Sequence, residues 1–361
     1  MKKVNRLSLK KSIRSTLVTF AIVIAAYLIV QILSAGGLLS NSMQGLLIPI
    51  CTYIILAVSL NLVVGILGEL SLGHAGFMSI GAFTGTVIAS ALNGSGIPDT
   101  WILIIALTSG ALLAAIVGLL IGIPVLRLNG DYLAIVTLAF GEIIKSLVNN
   151  LYIGIDANGL HASFLKNTIE LQTGGRMILS GAMGVPGIRK LSTFLAGAIL
   201  ILLSLFIIFH LVRSRAGRAI MAIRDNRIAV ESVGINITTY KMMAFVISAA
   251  IAGVGGALFG LGQNTIIASK FDFNASILIL VFVVLGGQGN MLGSIIAATV
   301  LTILPEALRQ FADYRMLVYA IVLILVMLTT NNPTIRGFLG RLVSGIKKPK
   351  QTASAGEEES K

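Results

Sequence analysis

Glu142 and Lys145 are the residues whose types and spacing most directly suggest chemistry. They stand three positions apart inside an apolar stretch, 131–149, so a helix would set them on one face. Charges at membrane depth are costly unless they pair or face water. That leaves two roles for them: a structural ion pair, or the lining of a polar substrate pathway. The three histidines are dispersed. His74 lies in the run Ser71-Leu-Gly-His-Ala-Gly at the start of an apolar stretch, His161 in a long polar segment, and His210 at the end of another apolar run. No His, Cys or Glu spacing matches a metal site, and capping or packing is the expected role of each histidine. Cys51 is the single cysteine, so an intrachain disulfide is impossible. No nucleophile–base arrangement is legible, and enzymatic function is unsupported. No G-x-x-x-x-G-K-S/T run occurs, so the usual phosphate cradle is missing. If ATP drives this chain, another subunit binds it.

These residues sit on elements built for lipid. Of 361 residues, 56% are apolar and 11% charged, against roughly 25% charged in soluble domains. Mean hydropathy is +0.95. The expected class is an all-α polytopic membrane protein. Apolar runs predict spans near 15–33, 46–64, 73–92, 101–126, 131–149, 193–212, 242–262 and 315–330, with a long block at 275–304 broken by Gly286-Gly287-Gln288-Gly289-Asn290. The first run is too long for a signal-peptide core of ~7–15 residues and reads as an uncleaved span. Read as a hairpin, the broken block brings the count to about ten transmembrane helices, within a range of eight to ten. Charge supports ten. With both termini cytoplasmic, 19 Lys and Arg fall on one side and seven on the other, a strong positive-inside bias. The net charge of +13 is thus explained by topology, not by nucleic acid. The segments are a basic N-terminus, 1–14; a transmembrane domain, 15–332, holding an external loop at 150–191 and a cytoplasmic loop at 213–241; and a polar tail, 333–361, expected to be disordered at its end. Glycines recur as Gly81-x3-Gly85, Gly256-x3-Gly260 and Gly289-x3-Gly293, a spacing that lets helix backbones pack closely. Ordinary packing is the plain reading, and a moving gate the sharper one.

The cytoplasmic loop carries Arg213, Arg215, Arg218, Arg224, Arg227 and Lys241 against Asp225 and Glu231. A short helix is predicted over 226–233. Asp225 or Asn226 would cap it, Ile228, Ala229, Val230 and Val233 would give an apolar face, and Gly234 would end it in the left-handed conformation. Eight residues make a rod of ~12 Å, too short to persist alone in water. It needs a surface to pack on, which makes the loop a candidate docking site.

Here the chain resembles the LivM-type family, the inner-membrane permease subunits of branched-chain amino acid ABC importers. The resemblance rests on NLVVGILGELSLGHAGFMSIGAF (61–83), LRLNGDYLAIVTLAFGEIIKSLVNN (126–150), GRAIMAIRDNRIAVESVGINITTYKMMAFVISAAIAGVGGALFG (217–260) and LVFVVLGGQGNMLGSIIAATVL (280–301). It covers about 45–330. It implies an ABC importer permease fold, two ABC ATPase subunits, a second related permease, a periplasmic or surface-anchored binding protein, and a place in the bacterial or archaeal plasma membrane. This chain would bind no cofactor of its own, with ATP on the partner subunits. Arg224, Asp225, Asn226, Ala229, Glu231 and Gly234 would then couple it to an ATPase. One departure is the external segment from Tyr152 to Ile188, longer and more diffuse than the compact glycine-rich stretch of the family.

The expected mechanism is a permease without catalytic residues. Its pathway or gate would use Ser71, Gly73, His74, Gly76, Thr137, Glu142, Lys145, Gly286, Gly287 and Gly289. Helix ends beside two candidate glycine breaks, Gly73 to Gly76 and Gly286 to Gly289, can meet the charges of a zwitterion without buried Lys or Asp. Three alternatives stay open: a related ABC permease for urea, short amides or a sugar; an ion-coupled secondary transporter; and a membrane enzyme. Scarce intramembrane carboxylates count against the second, and the lack of a convergent polar constellation counts against the third.

Overall fold

A computed structural model describes residues 2–308, apart from 39, 95, 129, 157–158, 166–168 and 170–174, and beyond them 320, 321 and 324. Apart from those three positions, the expected span near 315–330 lies outside the described residues, as does the whole tail 333–361. Contacts set Met1–Ala307 apart as one unit.

This unit runs through α1 (Lys2–Ala35), α2 (Asn41–Asn61), a π-helical turn (Leu62–Leu67), α3 (His74–Ala91), α4 (Asp99–Val125) and α5 (Asp131–Asn149). Strands β1 (Leu151–Asp156), β2 (Gly159–Phe164) and β3 (Arg176–Ser180) come next. Then come α6 (Phe194–Arg213), α7 (Arg215–Asp225), α8 (Arg227–Ser232), α9 (Ile237–Gly260), α10 (Phe273–Gly286) and α11 (Met291–Ala307). Among the described residues, six helical segments are long and apolar enough to cross a membrane: Thr16–Ala35, Asn41–Leu67, Asp99–Val125, Tyr132–Asn149, Phe194–Arg213 and Ile237–Gly260. The chain therefore reads as a multi-pass membrane protein.

Helix α3 is shielded by protein. Fourteen of its eighteen residues are buried, so it does not need a lipid-facing surface. The expected break in the 275–304 block is present as a turn between α10 and α11. With 14 and 17 residues, these two helices are about 21 and 26 Å long, short of a hydrocarbon core of roughly 30 Å.

The centre of the fold is α9, packed between α3 and α4 through residues with almost no side chain. On α4, Gly110 meets Ala257, Ala114 meets Gly253, and Gly118 meets Ala249, an antiparallel ladder at four-residue spacing. On the other side, Gly81 lies against Gly253 and Gly85 against Ala257, while Gly256 and Gly260 lie against Met78, Ala82 and Thr86. A Cβ added at Gly81 would come within 2.0 Å of the Gly253 carbonyl oxygen. Packing this close replaces a hydrophobic driving force, which lipid cannot supply between helices. Two of the expected glycine pairs are thus packing contacts. The third is corrected: Gly289 belongs to a turn, and Gly293 faces Gly286 across it, so they form no stripe on one helix.

The all-α expectation also needs correction, since the molecule is mostly helical. The segment expected as an external loop holds a three-stranded antiparallel sheet in the order β2-β1-β3. Strand β1 pairs with β2 from Leu151–Phe164 to Asp156–Gly159, and with β3 from Tyr152–Ser180 to Ile155–Arg176 across an irregularity at Ile153/Gly154. The glycines drew attention from strand signals beside them. Leu-Tyr-Ile-Gly-Ile and Arg-Met-Ile-Leu carry branched and aromatic residues that suit a pleated, half-buried surface.

Candidate translocation and coupling site

Two chain breaks and the arm built by residues 213–236 meet at a common polar cluster. The first break ends the α2 spiral. Its last turn is π-helical, Gly68 takes a left-handed conformation (φ +82°), and the chain resumes helix at His74. Two of its backbone N–H groups are satisfied from two neighbouring helices. The Leu72 N–H donates to Thr137 Oγ1 on α5 at 3.0 Å, and the Ala75 N–H to Ser276 Oγ on α10 at 3.1 Å. The fully buried His74 ring reaches Ser59 Oγ on α2 through Nε2 at 2.7 Å. Since the Ser59 proton goes to Leu56 O at 2.9 Å, the ring N–H is the donor. Gly73 and Gly76 let this break press on α5, where a Cβ at Gly73 would sit 2.1 Å from Thr137 O. Ser71 is 2% exposed, and its hydroxyl has no hydrogen-bond partner among the described residues. The structure thus brings Ser71, Gly73, His74, Gly76 and Thr137 together.

The second break, 287–290, joins α10 to α11. Gly287 and Gly289 both have positive φ, and Gly286 touches Gly293 and Ser294. The two breaks are linked by Asn61, a wholly buried amide at the end of α2. Its Oδ1 accepts the Gly289 N–H at 2.8 Å, and its Nδ2 donates to Ser294 Oγ at 3.0 Å. Most buried polar side chains find a hydrogen-bond partner, and Asn61 uses its two to fix one break against the other.

Glu142 and Lys145 stand apart from this cluster. They form an ion pair at 2.9 Å on α5, with 42% of the Glu142 side chain and 26% of the Lys145 side chain exposed. Both expected readings survive, since the groups are paired and also reach the surface of α5. His161 lies on β2 and bonds Asp156 Oδ1 at 2.9 Å, while His210 stacks on Phe206 near the end of α6.

The segment expected to be cytoplasmic folds as two helices, where one was expected over 226–233. Helix α7 precedes it, and α8 occupies Arg227–Ser232. Of the two candidate caps, Asn226 is used: its side chain accepts the Ala229 N–H at 3.1 Å. Gly234 ends the arm at φ +80°, the conformation a glycine adopts without strain. The expected apolar face is split. Val230 turns inward onto Ile223 and Ile237, while Ile228 and Val233 stay 81% and 71% exposed. Glu231 is exposed, and Asp225 lies 3.5 Å from Arg224.

Arg224 does something its sequence position does not disclose. Its guanidinium points back to the membrane domain and donates to Gly65 O at 2.7 Å. Beside it, Lys241 of α9 forms a buried ion pair with Glu69. Sequence reasoning missed Asn61, Glu69, Ser276 and Ser294, and treated Lys241 as a loop charge. A usable signal existed for Asn61, because an amide inside an apolar run must find a polar partner.

A family model described as the permease component of the branched-chain amino acid transport system matches residues 42–327. LivM of Salmonella typhimurium, a high-affinity branched-chain amino acid transport system permease protein, is 40% identical over 289 residues, 76% of this chain and 66% of its own. The alignment thus spans just under two thirds of that relative. LivH of the same organism, another permease protein of that system, is 29% identical over 311 residues, 80% of this chain and 92% of its own. The fructose import permease protein FruG of Bifidobacterium longum is 25% identical over 266 residues, 72% of each chain. No solved structure matches.

Proposed function

Because this chain belongs to the branched-chain amino acid transport system permease family, we propose that it is the membrane-spanning subunit of an ATP-driven importer of leucine, isoleucine or valine. The observation that carries the substrate class is the 40% identity with LivM; the sugar permease FruG stands further off at 25%. Two ATPase subunits, a second related permease and a substrate-binding protein complete the importer in the plasma membrane. Ten crossings fit this reading: the six long apolar helices, then α3, α10 and α11, and the segment near 315–330. Both termini then share the cytoplasmic side with α7 and α8.

In this reading ATP closes the two ATPases, and their surface moves α8, whose exposed Ile228 and Val233 are suited to a groove. Asp225, Asn226, Ala229, Glu231 and Gly234 shape that contact. The movement reaches the breaks at 68–73 and 286–290. The substrate path runs past Ser71, Gly73, His74, Gly76 and Thr137, with Gly286, Gly287 and Gly289 at the second break and Glu142 and Lys145 along α5. The N–H groups of the first break are held by Thr137 and Ser276, so a substrate carboxylate would displace a hydroxyl to reach them.

The test is purification of the chain from its native membrane in mild detergent, followed by reconstitution of what accompanies it. Two ATPases, a second permease and ATP-dependent leucine uptake are expected. A chain that purifies alone, in membranes whose uptake is abolished by an uncoupler but insensitive to ATP depletion, would overturn the reading in favour of a secondary transporter.

A further inference from the structure

We propose that Arg224 is a positioning residue that latches the cytoplasmic arm to the broken end of α2, and that it is not a contact for the ATPase. The inference rests on the importer reading for its functional meaning and on the structure for its geometry. Arg224 lies in the last turn of α7, one residue before the arm turns into α8. An arginine that served a partner would point away from the membrane domain. This one folds back, with its side chain 44% exposed.

Its stem lies over Gly68, where an added Cβ would fall 2.5 Å from Arg224 Cγ. Its head donates to Gly65 O at 2.7 Å, and one guanidinium nitrogen comes 3.8 Å from the position a Gly289 Cβ would take. Gly65 belongs to the final π-helical turn. The last carbonyls of a helix lack intrahelical donors and carry its negative dipole end, and a fixed guanidinium answers both needs.

One side chain thus joins three segments: the arm, the end of α2 and, through Asn61 and Gly289, the α10–α11 turn. The ion pair between Lys241 and Glu69 ties the residue after Gly68 to α9. A cavity of about 140 Å³ beside Arg224, lined by Ile66, Met221, Gly289 and Met291, gives the latch room to shift. Gly68 supplies the left-handed turn and the open space the stem needs.

The test uses the complete transporter carrying Arg224→Gln, Arg224→Lys or Gly68→Asn. Asparagine tolerates a left-handed backbone, and its Cβ displaces the arginine stem. In Arg224→Gln, ATPase subunits should co-purify in the wild-type ratio and hydrolysis should persist. Substrate moved per ATP should fall about tenfold, the scale of a lost charge-assisted hydrogen bond. Gly68→Asn should behave alike, and Arg224→Lys should recover part of the loss. In the purified permease without nucleotide, amide exchange across 62–72 and 286–291 should rise in Arg224→Gln. Loss of the ATPases on purification would make Arg224 a docking residue and overturn the proposal, as would unchanged exchange with unchanged coupling. If the wild-type complex shows no ATP-dependent uptake, the importer reading fails, while the exchange comparison still decides the latch.

Discussion

At the scale of single residues, two pairs bear the sharpest expectations. Ile228 and Val233 are exposed on an arm whose third apolar residue, Val230, is already buried. Burying an aliphatic side chain contributes about 1.5–3 kcal/mol, so a partner that covers both gains several. Ile228→Ser combined with Val233→Ser should therefore weaken ATPase retention at least about tenfold, measured by pull-down from detergent. Undiminished retention would remove α8 from the interface. The second pair is Glu142 and Lys145, joined at 2.9 Å yet partly exposed. If they line the path, Glu142→Gln should abolish leucine uptake while leaving insertion and yield normal; full activity would leave the pair a structural role. Their pairing was legible from three-residue spacing on a helix. The Asn61 and Arg224 contacts were not, because they join positions 228 and 159 residues apart. One sequence carries no distance information on that range.

At the scale of elements, glycine spacing was a sound guide where it fell within a helix and a poor one across a turn. Gly81, Gly85, Gly256 and Gly260 form close helix contacts, whereas Gly289 lies in the turn between α10 and α11 and Gly293 in the first turn of α11. The ladder around α9 leaves no space for larger side chains. Gly253→Leu would drive its side chain into Ala114 and the Gly110 carbonyl, 2.5 and 2.6 Å from the first added carbon. Overpacking a tight interior costs about 1–3 kcal/mol and often more, so the variant should unfold at lower temperature in detergent and reach the membrane in lower yield. A stability equal to wild type would mean that α3, α4 and α9 are not held in this register. At the two breaks and the arm, side-chain hydrogen bonds join the parts alongside close backbone contacts such as Gly73 on Thr137 and Gly286 on Gly293. Span positions were legible because apolar runs are long. The sheet was not, because its strands are five or six residues long and embedded among glycines.

At the scale of the whole molecule, charge asymmetry and hydropathy revealed a polytopic protein, and four ordered motifs pointed to its family. The family match over 42–327 begins after α1, which rests chiefly on α6 through Tyr27 stacked on Phe194 and Thr16 bonded to Arg213. The core is thus α2 onward, with α1 fastened to its side. Within that core the partner of the α3–α4 pair is distant in the chain, since α4 ends at Val125 and α9 starts at Ile237. Ribosomes add roughly 5–20 residues per second, so the roughly 110 residues between them take on the order of 5–20 s to make. For that interval α3 and α4 are in the membrane with their glycine faces open. Residues that later pack backbone against backbone are, during synthesis, uncovered surface, and whatever shelters them must let go when α9 arrives.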